Sequence, residues 1–258
     1  MDDKENFGFS DYTIYKQLHL GAILRKHLNI TRAIFEKHDW PEKVYHYLDL
    51  HAGPGIYQHN GMVVRGSPII FIETLMSVGL KCQAVFFEIC DDRRTQLVWN
   101  LARFADVPDL SLLFHGDYQR FLPCHFDDSQ ARAKKKFGLV YADPAGTLPP
   151  FELLAQMFQS RSYATMDVLI YMSSTNLKRQ LKYDRCPIDK RLKDYLGLIP
   201  KKYWIVREPY GPHQWTFLIG TNWDAFPEFR DLGFHRIDSP EGQEIFHRLN
   251  YTRKELAE

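Results

Sequence analysis

The sequence predicts a single α/β domain with a mostly parallel, doubly wound sheet that ends in an antiparallel hairpin. Strand-like and helical stretches alternate through the first five strands, which is the pattern of a parallel sheet covered by helices. The last two strand-like runs are joined by a short connector rich in proline and glycine. Such a connector implies an antiparallel pair, because a parallel crossover needs a dozen or more residues.

The predicted elements follow one another without internal repeats. Residues 12–37 carry apolar side chains at three- and four-residue intervals, which indicates an N-terminal helical extension. The first five strands are predicted at 44–50, 83–88, 110–114, 137–142 and 167–172, and the hairpin strands at 203–207 and 215–220. The helices between them are predicted at 67–78, 92–105 and 151–158, and a basic helical insertion at 176–202. Ser67 and Asp91 are expected to be helix N-caps, with Pro68 in the first turn after Ser67.

Composition excludes several classes of protein. The 258 residues are 45% hydrophobic and carry a net charge of +1, which is typical of one large globular domain spanning residues 1–258. No apolar stretch approaches the 18 residues of a membrane span, so no membrane association is expected. The polar start of the chain does not resemble a signal peptide, and the four cysteines lack metal-ligand spacing. These features favour a cytoplasmic protein without a zinc site or a disulfide framework.

The strongest local pattern is the turn after the first strand, Asp49-Leu-His-Ala-Gly-Pro-Gly55. An acid followed by Gly-x-Gly lets the backbone approach a ligand closely, because glycine has no Cβ and tolerates positive φ. An ordinary tight turn would show the same residues. Acids also follow the next three strands, at Glu88, Asp117 and Asp143. Since open α/β sheets bind ligands at the carboxyl ends of their strands, the four acids together predict a ligand site there.

Three of these acids suit the groups of S-adenosylmethionine. Asp49 is expected to face the cationic methionine portion, Glu88 the ribose hydroxyls and Asp117 the adenine amino group, although Asp117 is equally suited to be a helix N-cap. The predicted cofactor-binding residues are Asp49, His51, Ala52, Gly53, Gly55, Glu88 and Asp117.

A dinucleotide cofactor is disfavoured by spacing. Glu88 lies 33 residues after Gly55, whereas a dinucleotide site has its acid about 20 residues beyond the glycines. Gln58 also stands where the third glycine of Gly-x-Gly-x-x-Gly would be. No Gly-Lys-Ser/Thr is present, which excludes a P-loop.

Several stretches resemble the three-Cys-motif partner proteins, a group of class I S-adenosylmethionine-dependent methyltransferases, and are similar to 23S ribosomal RNA adenine-N6 methyltransferases. The matching stretches, within about residues 14–222, are 47–57, 65–68, Glu88, Asp117, Asp143-Pro144 and 215–222. The resemblance implies a Rossmann-like fold, S-adenosylmethionine as the methyl donor and a partner protein.

Asp143-Pro144-Ala145-Gly146 matches half of the Asp/Asn-Pro-Pro-aromatic motif of enzymes that methylate amino groups. Asp143 can still accept a hydrogen bond from an amine and relieve the positive charge that develops on it. The missing ring removes a stacking platform worth about 1–3 kcal/mol per base, for which the candidate substitutes are Tyr141, Phe151 and Tyr171. The resemblance therefore implies methylation of an exocyclic amine of a nucleic-acid base, adenine N6, with Asp143 and Pro144 as catalytic residues.

Basic residues suggest DNA or RNA as the partner. Nine basic residues stand against three acids between Lys178 and Lys202, a local net charge of +6, and Arg132–Lys136 is a second basic run. A solvated helix face would show the same pattern. Two other functions stay open. One is methylation of a small molecule or protein; the other is a cofactor-fold partner protein without catalysis, which Ala145 and Gly146 would favour.

Overall fold

The computed structural model describes residues 13–40, 42–59, 61–125, 135–183, 192–211 and 214–250. Its helices are α1 Thr13–Lys37, α2 Ser67–Val78, α3 Asp91–Leu101, α4 Tyr118–Phe121, α5 Phe151–Gln159, α6 Ser174–Tyr183, α7 Leu192–Leu198, α8 Phe226–Phe229 and α9 Pro240–Asn250. Its strands are β1 Tyr45–Asp49, β2 Ile56–His59, β3 Met62–Arg65, β4 Cys82–Phe87, β5 Leu110–His115, β6 Phe137–Ala142, β7 Asp167–Ser173, β8 Tyr203–Arg207, β9 Trp215–Thr221 and β10 Phe234–Arg236. Among these helices, none is both long enough and apolar enough to cross a membrane.

The predicted Rossmann-like α/β fold is confirmed. Eight strands are hydrogen-bonded in the order β10-β8-β9-β7-β6-β1-β4-β5, and β2 and β3 form a separate hairpin. Each of the seven predicted strands is present, and its ends differ from the prediction by at most one residue. The chain divides into two compact units, Met1–Cys124 with Lys136–Val140 and His125–Lys135 with Tyr141–Glu258. A single domain over residues 1–258 stays a prediction.

In the first unit, β1, β4 and β5 are parallel neighbours. Asp49 at the end of β1 is in register with Phe86, and Phe86 is in register with Phe114 of β5. The carboxyl ends of the three strands therefore meet at one edge, where the sequence predicts the ligand site. The packing beneath them is largely aromatic, as the ring centroids of Tyr47 and Phe71 are stacked 3.7 Å apart.

In the second unit, the predicted antiparallel hairpin is present as β8–β9. The sequence places the hairpin at the end of the sheet without giving the order of its strands, and the structure places β9 between β7 and β8, antiparallel to both. β8 consequently runs parallel to β7. The edge is occupied by β10, which pairs antiparallel with β8 and which the sequence pattern does not reveal because it has only three residues.

Two predicted helix caps are wrong by one residue. The N-cap of α2 is Gly66 and that of α3 is Cys90, so Ser67 and Asp91 are each the first helical residue. In both cases the carbonyl of the preceding residue accepts the first intrahelical hydrogen bond, from Ile70 to Gly66 and from Arg94 to Cys90. At Gly66, the tertiary hydrogen bond of its N–H to the Gly55 carbonyl (2.7 Å) places the start of the helix.

We expect Gly138→Ala to lower the free energy of unfolding by more than about 3 kcal/mol. Gly138 has a φ of 147°, and a Cβ there would lie 1.8 Å from the carbonyl oxygen of His46. Gly197→Ala, at an open position of α7, is the matched control and should stabilise the protein by about 0.5–1 kcal/mol. Chemical denaturation measures both; equal effects of the two substitutions would contradict the steric account.

Candidate functional site

The loops that follow β1, β4 and β5 are tied to one another by backbone hydrogen bonds. The N–H of Ala52 donates to the Phe87 carbonyl (2.9 Å), and the N–H of Glu88 donates to the His115 carbonyl (3.1 Å). The seven predicted cofactor-binding residues all belong to the first unit. Asp49 is the last residue of β1, and the other six lie in the segments that follow β1, β4 and β5. The structure thus brings them to one edge of the sheet, and their binding of a cofactor stays a prediction.

Asp49 is the most buried of the predicted acids. Its side chain is 0% exposed. Its Oδ1 accepts a hydrogen bond from the backbone N–H of His51 (3.1 Å), and its Oδ2 lies 3.5 Å from the Tyr47 hydroxyl. These contacts stabilise the turn that follows β1. The carboxylate therefore has a structural role that the sequence pattern did not assign to it.

The glycines of the turn are required by packing within the chain. Gly53 and Gly55 have φ values of 61° and 78°. A Cβ on Gly53 would lie 2.1 Å from the Tyr57 hydroxyl oxygen, and one on Gly55 would lie 3.0 Å from Leu97 Cδ1. Both the backbone conformation and the neighbouring side chains thus select glycine, before any ligand is considered.

Glu88 is a buried carboxylate, 7% exposed, that is held through one oxygen. Its Oε1 accepts hydrogen bonds from the Cys90 N–H (2.8 Å) and from Nε of Arg93 (3.1 Å), while Nη2 of Arg93 lies 2.9 Å from the same atom. Nη1 of Arg94 donates to the Glu88 carbonyl (3.2 Å). The start of α3 therefore fixes both the backbone and the side chain of Glu88.

Asp117 is the N-cap of α4, which confirms one of its two predicted roles. Its Oδ1 accepts a hydrogen bond from the Gln119 N–H (2.8 Å), and its Oδ2 lies 3.7 Å from Nε of Arg120. The adjacent Tyr118 ring meets the ring of His51 edge-on, with centroids 5.0 Å apart. Burial raises the pKa of Tyr118, so its phenol stays protonated at neutral pH.

Asp143 and Pro144 belong to the second unit. The hydroxyl of Tyr141 donates to Oδ2 of Asp143 (2.9 Å). Burial and the charge of Asp143 raise the pKa of Tyr171, which places Tyr171 near this carboxylate as a neutral phenol. Of the three candidate substitutes for the missing aromatic ring, Tyr141 and Tyr171 therefore interact with Asp143.

The loop after Asp143 is fastened to the basic helix α6. Nη2 of Arg179 donates to the carbonyl of Gly146 (2.7 Å) and lies 3.2 Å from Oδ1 of Asn176. Gly146 has a φ of 74°, a conformation that the aromatic residue of the complete motif would rarely adopt. Arg179 thus has a local structural role beside any contact with a polymer.

Two other basic residues of segment 178–202 make hydrogen bonds within the second unit. Nζ of Lys178 donates to the Arg248 carbonyl (3.1 Å). Lys201 is buried, where Nζ donates to the carbonyls of Ala164 and Met166 and lies 3.9 Å from the centre of the Phe158 ring. Burial lowers the pKa of Lys201 to about 8. The predicted basic residues that lie outside the described residues are Arg132, Lys134, Arg185, Lys190 and Arg191.

Sequence reasoning missed three residues of the first unit that support the site. Arg93 holds Glu88, and the Tyr57 hydroxyl packs over Gly53. Nδ2 of Asn100 donates to the Pro54 carbonyl (2.8 Å) across 46 positions. Of the three, only Arg93 could have been found from the sequence, because it lies in the first turn of the helix that follows β4 and Glu88. The other two contacts depend on tertiary packing.

A depression in the first unit lies at the opposite edge of the three strands. It contains none of the predicted site residues. It is lined by residues at the amino-terminal ends of the strands and just before them: Glu42, Lys43, Val44, His46, Lys81, Cys82, Gln83, Asp109, Leu110 and Ser111. Burial lowers the pKa of His46 to about 4, so the ring is neutral at pH 7. Because open α/β sheets bind ligands at the carboxyl ends of their strands, this depression is at the wrong edge for the predicted site.

Comparison with known proteins supports the fold alone. No protein-family model matches this sequence, and no curated protein matches it. Protein LPL1258 from Legionella pneumophila has a TM-score of 0.50 at 15% identity, over 81% of this chain and 88% of that one. The DszA carbon methyltransferase has a TM-score of 0.44 at 11% identity, over 72% of this chain and 50% of that one. The methyltransferase domain of METTL16 has a TM-score of 0.41 at 9% identity, over 76% and 66%.

We expect Asp117→Ala to lower the free energy of unfolding by about 1 kcal/mol, because the Gln119 N–H loses its acceptor. Asp117→Asn should stay within about 0.5 kcal/mol of the wild type, since asparagine caps helices equally well. Urea denaturation of the two variants separates the capping role from any role of the charge. A large loss in Asp117→Asn would show that the negative charge itself stabilises the fold.

Proposed function

We propose that this chain is an S-adenosylmethionine-dependent methyltransferase whose acceptor is the exocyclic amine of a nucleic-acid base, adenine N6. One observation supports the proposal above the others. Asp49, Glu88 and Asp117 follow or end three adjacent parallel strands at one edge of the sheet, around a turn that contains two glycines with positive φ. Edges of this kind bind nucleotide cofactors in open α/β sheets.

The carboxylates of the first unit suit S-adenosylmethionine. Carboxylates only accept hydrogen bonds, and the cofactor offers donors in its ribose hydroxyls and adenine amine and positive charge on its sulfonium and ammonium groups. Glu88 still has Oε2 for the ribose, because the contacts described above all use Oε1. Asp117 retains Oδ2, whose neighbour Arg120 is 90% exposed and therefore only weakly bound to it.

On the acceptor side, Asp143 is suited to hold an amine. Bound S-adenosylmethionine supplies a methyl carbon activated by positively charged sulfur. Asp143 would accept a hydrogen bond from the amine and disperse the positive charge that arises on its nitrogen. The Tyr141 hydroxyl fixes the orientation of the Asp143 carboxylate, and the neutral Tyr171 adds an aromatic surface beside it.

The second candidate function is a cofactor-binding partner protein without transferase activity. Ala145 and Gly146 favour it, because they remove the second proline and the stacking ring of the motif. Arg179 holds Gly146 in a backbone conformation that suits glycine. Resemblance to the three-Cys-motif partner proteins agrees with either candidate. Transfer of a methyl group to a polymer is therefore the property that distinguishes them.

We expect Asp49→Asn to weaken binding of S-adenosylmethionine by about 10- to 100-fold, since a charged acceptor contributes about 1.5–3 kcal/mol. Asparagine keeps an oxygen for the His51 N–H, so the turn should be preserved. Calorimetry on the full chain measures the affinity, with Asp106→Asn at an exposed position as the matched control. Undiminished affinity in Asp49→Asn would remove this carboxylate from the site.

We expect Asp143→Ala to reduce methyl transfer at least about 100-fold while leaving S-adenosylmethionine affinity within about threefold of the wild type. The measurement is incorporation of label from radiolabelled S-adenosylmethionine into total DNA and total RNA. Asp106→Ala serves as the control. A loss of transfer without a loss of cofactor binding is the result that an acceptor-side carboxylate requires.

The outcomes of this assay separate the candidates. Label in RNA or DNA that depends on Asp143 supports the methyltransferase, and nucleoside analysis of the product tests for N6-methyladenine. Equal labelling by Asp143→Ala would contradict the role of that residue. Cofactor binding by the wild type with label in neither polymer would favour the partner protein or a different acceptor.

A further inference from the structure

Arg93 and Glu88 form an asymmetric contact at the predicted ribose site. Nε and Nη2 of Arg93 lie 3.1 and 2.9 Å from Oε1 of Glu88, and the Cys90 N–H lies 2.8 Å from the same oxygen. Within the part of the chain that the structure describes, no hydrogen bond or ion pair is assigned to Oε2. One oxygen of a buried carboxylate is thus supplied with donors by the chain, and the other is left to a ligand or to water.

The asymmetry leaves an acceptor available. Glu88 is 7% exposed, and Oε2 is not one of the described side-chain atoms that are fully buried without a partner, so this oxygen stays accessible. A ligand that brings N–H or O–H donors to Oε2 replaces its hydrogen bonds to water, whereas an apolar ligand does not. The ribose hydroxyls of a nucleoside are donors of this kind.

We infer that Arg93 is a positioning residue that holds Oε1 of Glu88 so that Oε2 receives the ribose hydroxyls of the bound nucleoside, an inference that rests on the proposed function. Arg93 approaches Oε1 with two nitrogens of one rigid guanidinium, which fixes the rotation of the carboxylate more firmly than a single ammonium does. Its side chain is 47% exposed, so the ion pair by itself contributes little to folding.

The backbone of α3 supports the same arrangement. Nη1 of Arg94 donates to the Glu88 carbonyl, and Nη2 of Arg94 lies 2.7 Å from Oδ1 of Asp91. The N–H of Glu88 donates to the His115 carbonyl. Since the main chain of Glu88 is held on both sides, the side-chain rotamer is the remaining freedom, and Arg93 restricts it.

The test compares S-adenosylhomocysteine with its 2′-deoxy and 3′-deoxy analogues in calorimetric titrations of the full chain. The wild type should bind at least one deoxy analogue about 10- to 100-fold more weakly than the parent compound, because a hydrogen bond to a charged acceptor is lost. Arg93→Met should bind the parent about 10-fold more weakly and discriminate against the deoxy analogues by less than about threefold. Arg93→Lys should retain part of the discrimination, and Arg103→Met, an exposed arginine paired with Glu73 at 3.7 Å, should behave as the wild type.

Each result decides between stated alternatives. Discrimination by Arg93→Met equal to that of the wild type overturns the inference, as does equal weakening for all three ligands, which a purely structural role would give. If Arg93→Met does not fold, Arg93→Lys decides: partly reduced discrimination supports the inference, and discrimination equal to that of the wild type overturns it. A wild type that binds none of the three compounds overturns the proposed function and this inference with it, whereas binding that is indifferent to Arg93 overturns the inference alone.

Discussion

The hydrogen bond from the Gly66 N–H to the Gly55 carbonyl is the constraint around which the first unit is arranged. It closes the segment between β1 and α2, so that the β2–β3 hairpin lies between two residues held together and Gly66 is the N-cap of α2. A Cβ on Gly66 would lie 3.0 Å from the Gly55 carbonyl oxygen, which leaves little room for any other residue. The Ala52 bond to β4 and the Asn100 bond to Pro54 then fix the same turn against β4 and α3. A rigid turn of this kind suits a ligand site, because the ordering of its backbone is completed before binding.

The predicted acids share a property that their positions alone do not reveal. Each has an oxygen that accepts a backbone N–H of the chain: Asp49 from His51, Glu88 from Cys90 and Asp117 from Gln119. Structural and ligand-binding roles are therefore compatible in one carboxylate, since its two oxygens can serve different partners. The alternative readings of Asp117 as a cap and as a cofactor ligand do not exclude each other. Glu88 is tolerated as a buried carboxylate because its Oε1 receives the Cys90 N–H and the Arg93 guanidinium.

Elements with strong local patterns could be predicted closely, and elements without them could not. β6 and β8 have the predicted bounds because each is a compact apolar run. The β2–β3 hairpin was missed because its residues are mostly half-buried or exposed, and β10 because it is only three residues long. The caps at Gly66 and Cys90 show a third cause of error. Serine and aspartate are preferred N-caps, but each helix starts one residue earlier: the Gly66 N–H is held by the Gly55 carbonyl, and the Cys90 N–H by the Glu88 side chain.

The sequence by itself determined the order of strands and helices, the acids at the strand ends and the two glycines of the turn. Those features depend on periodicity and on backbone preferences within a few residues, which the chain carries locally. Only the tertiary structure decided that β9 lies between β7 and β8, that Tyr57 packs over Gly53, and that Arg93 occupies one oxygen of Glu88. The physical reason is that each depends on which of many available partners is brought within hydrogen-bonding or van der Waals distance. Packing of the whole unit settles that choice.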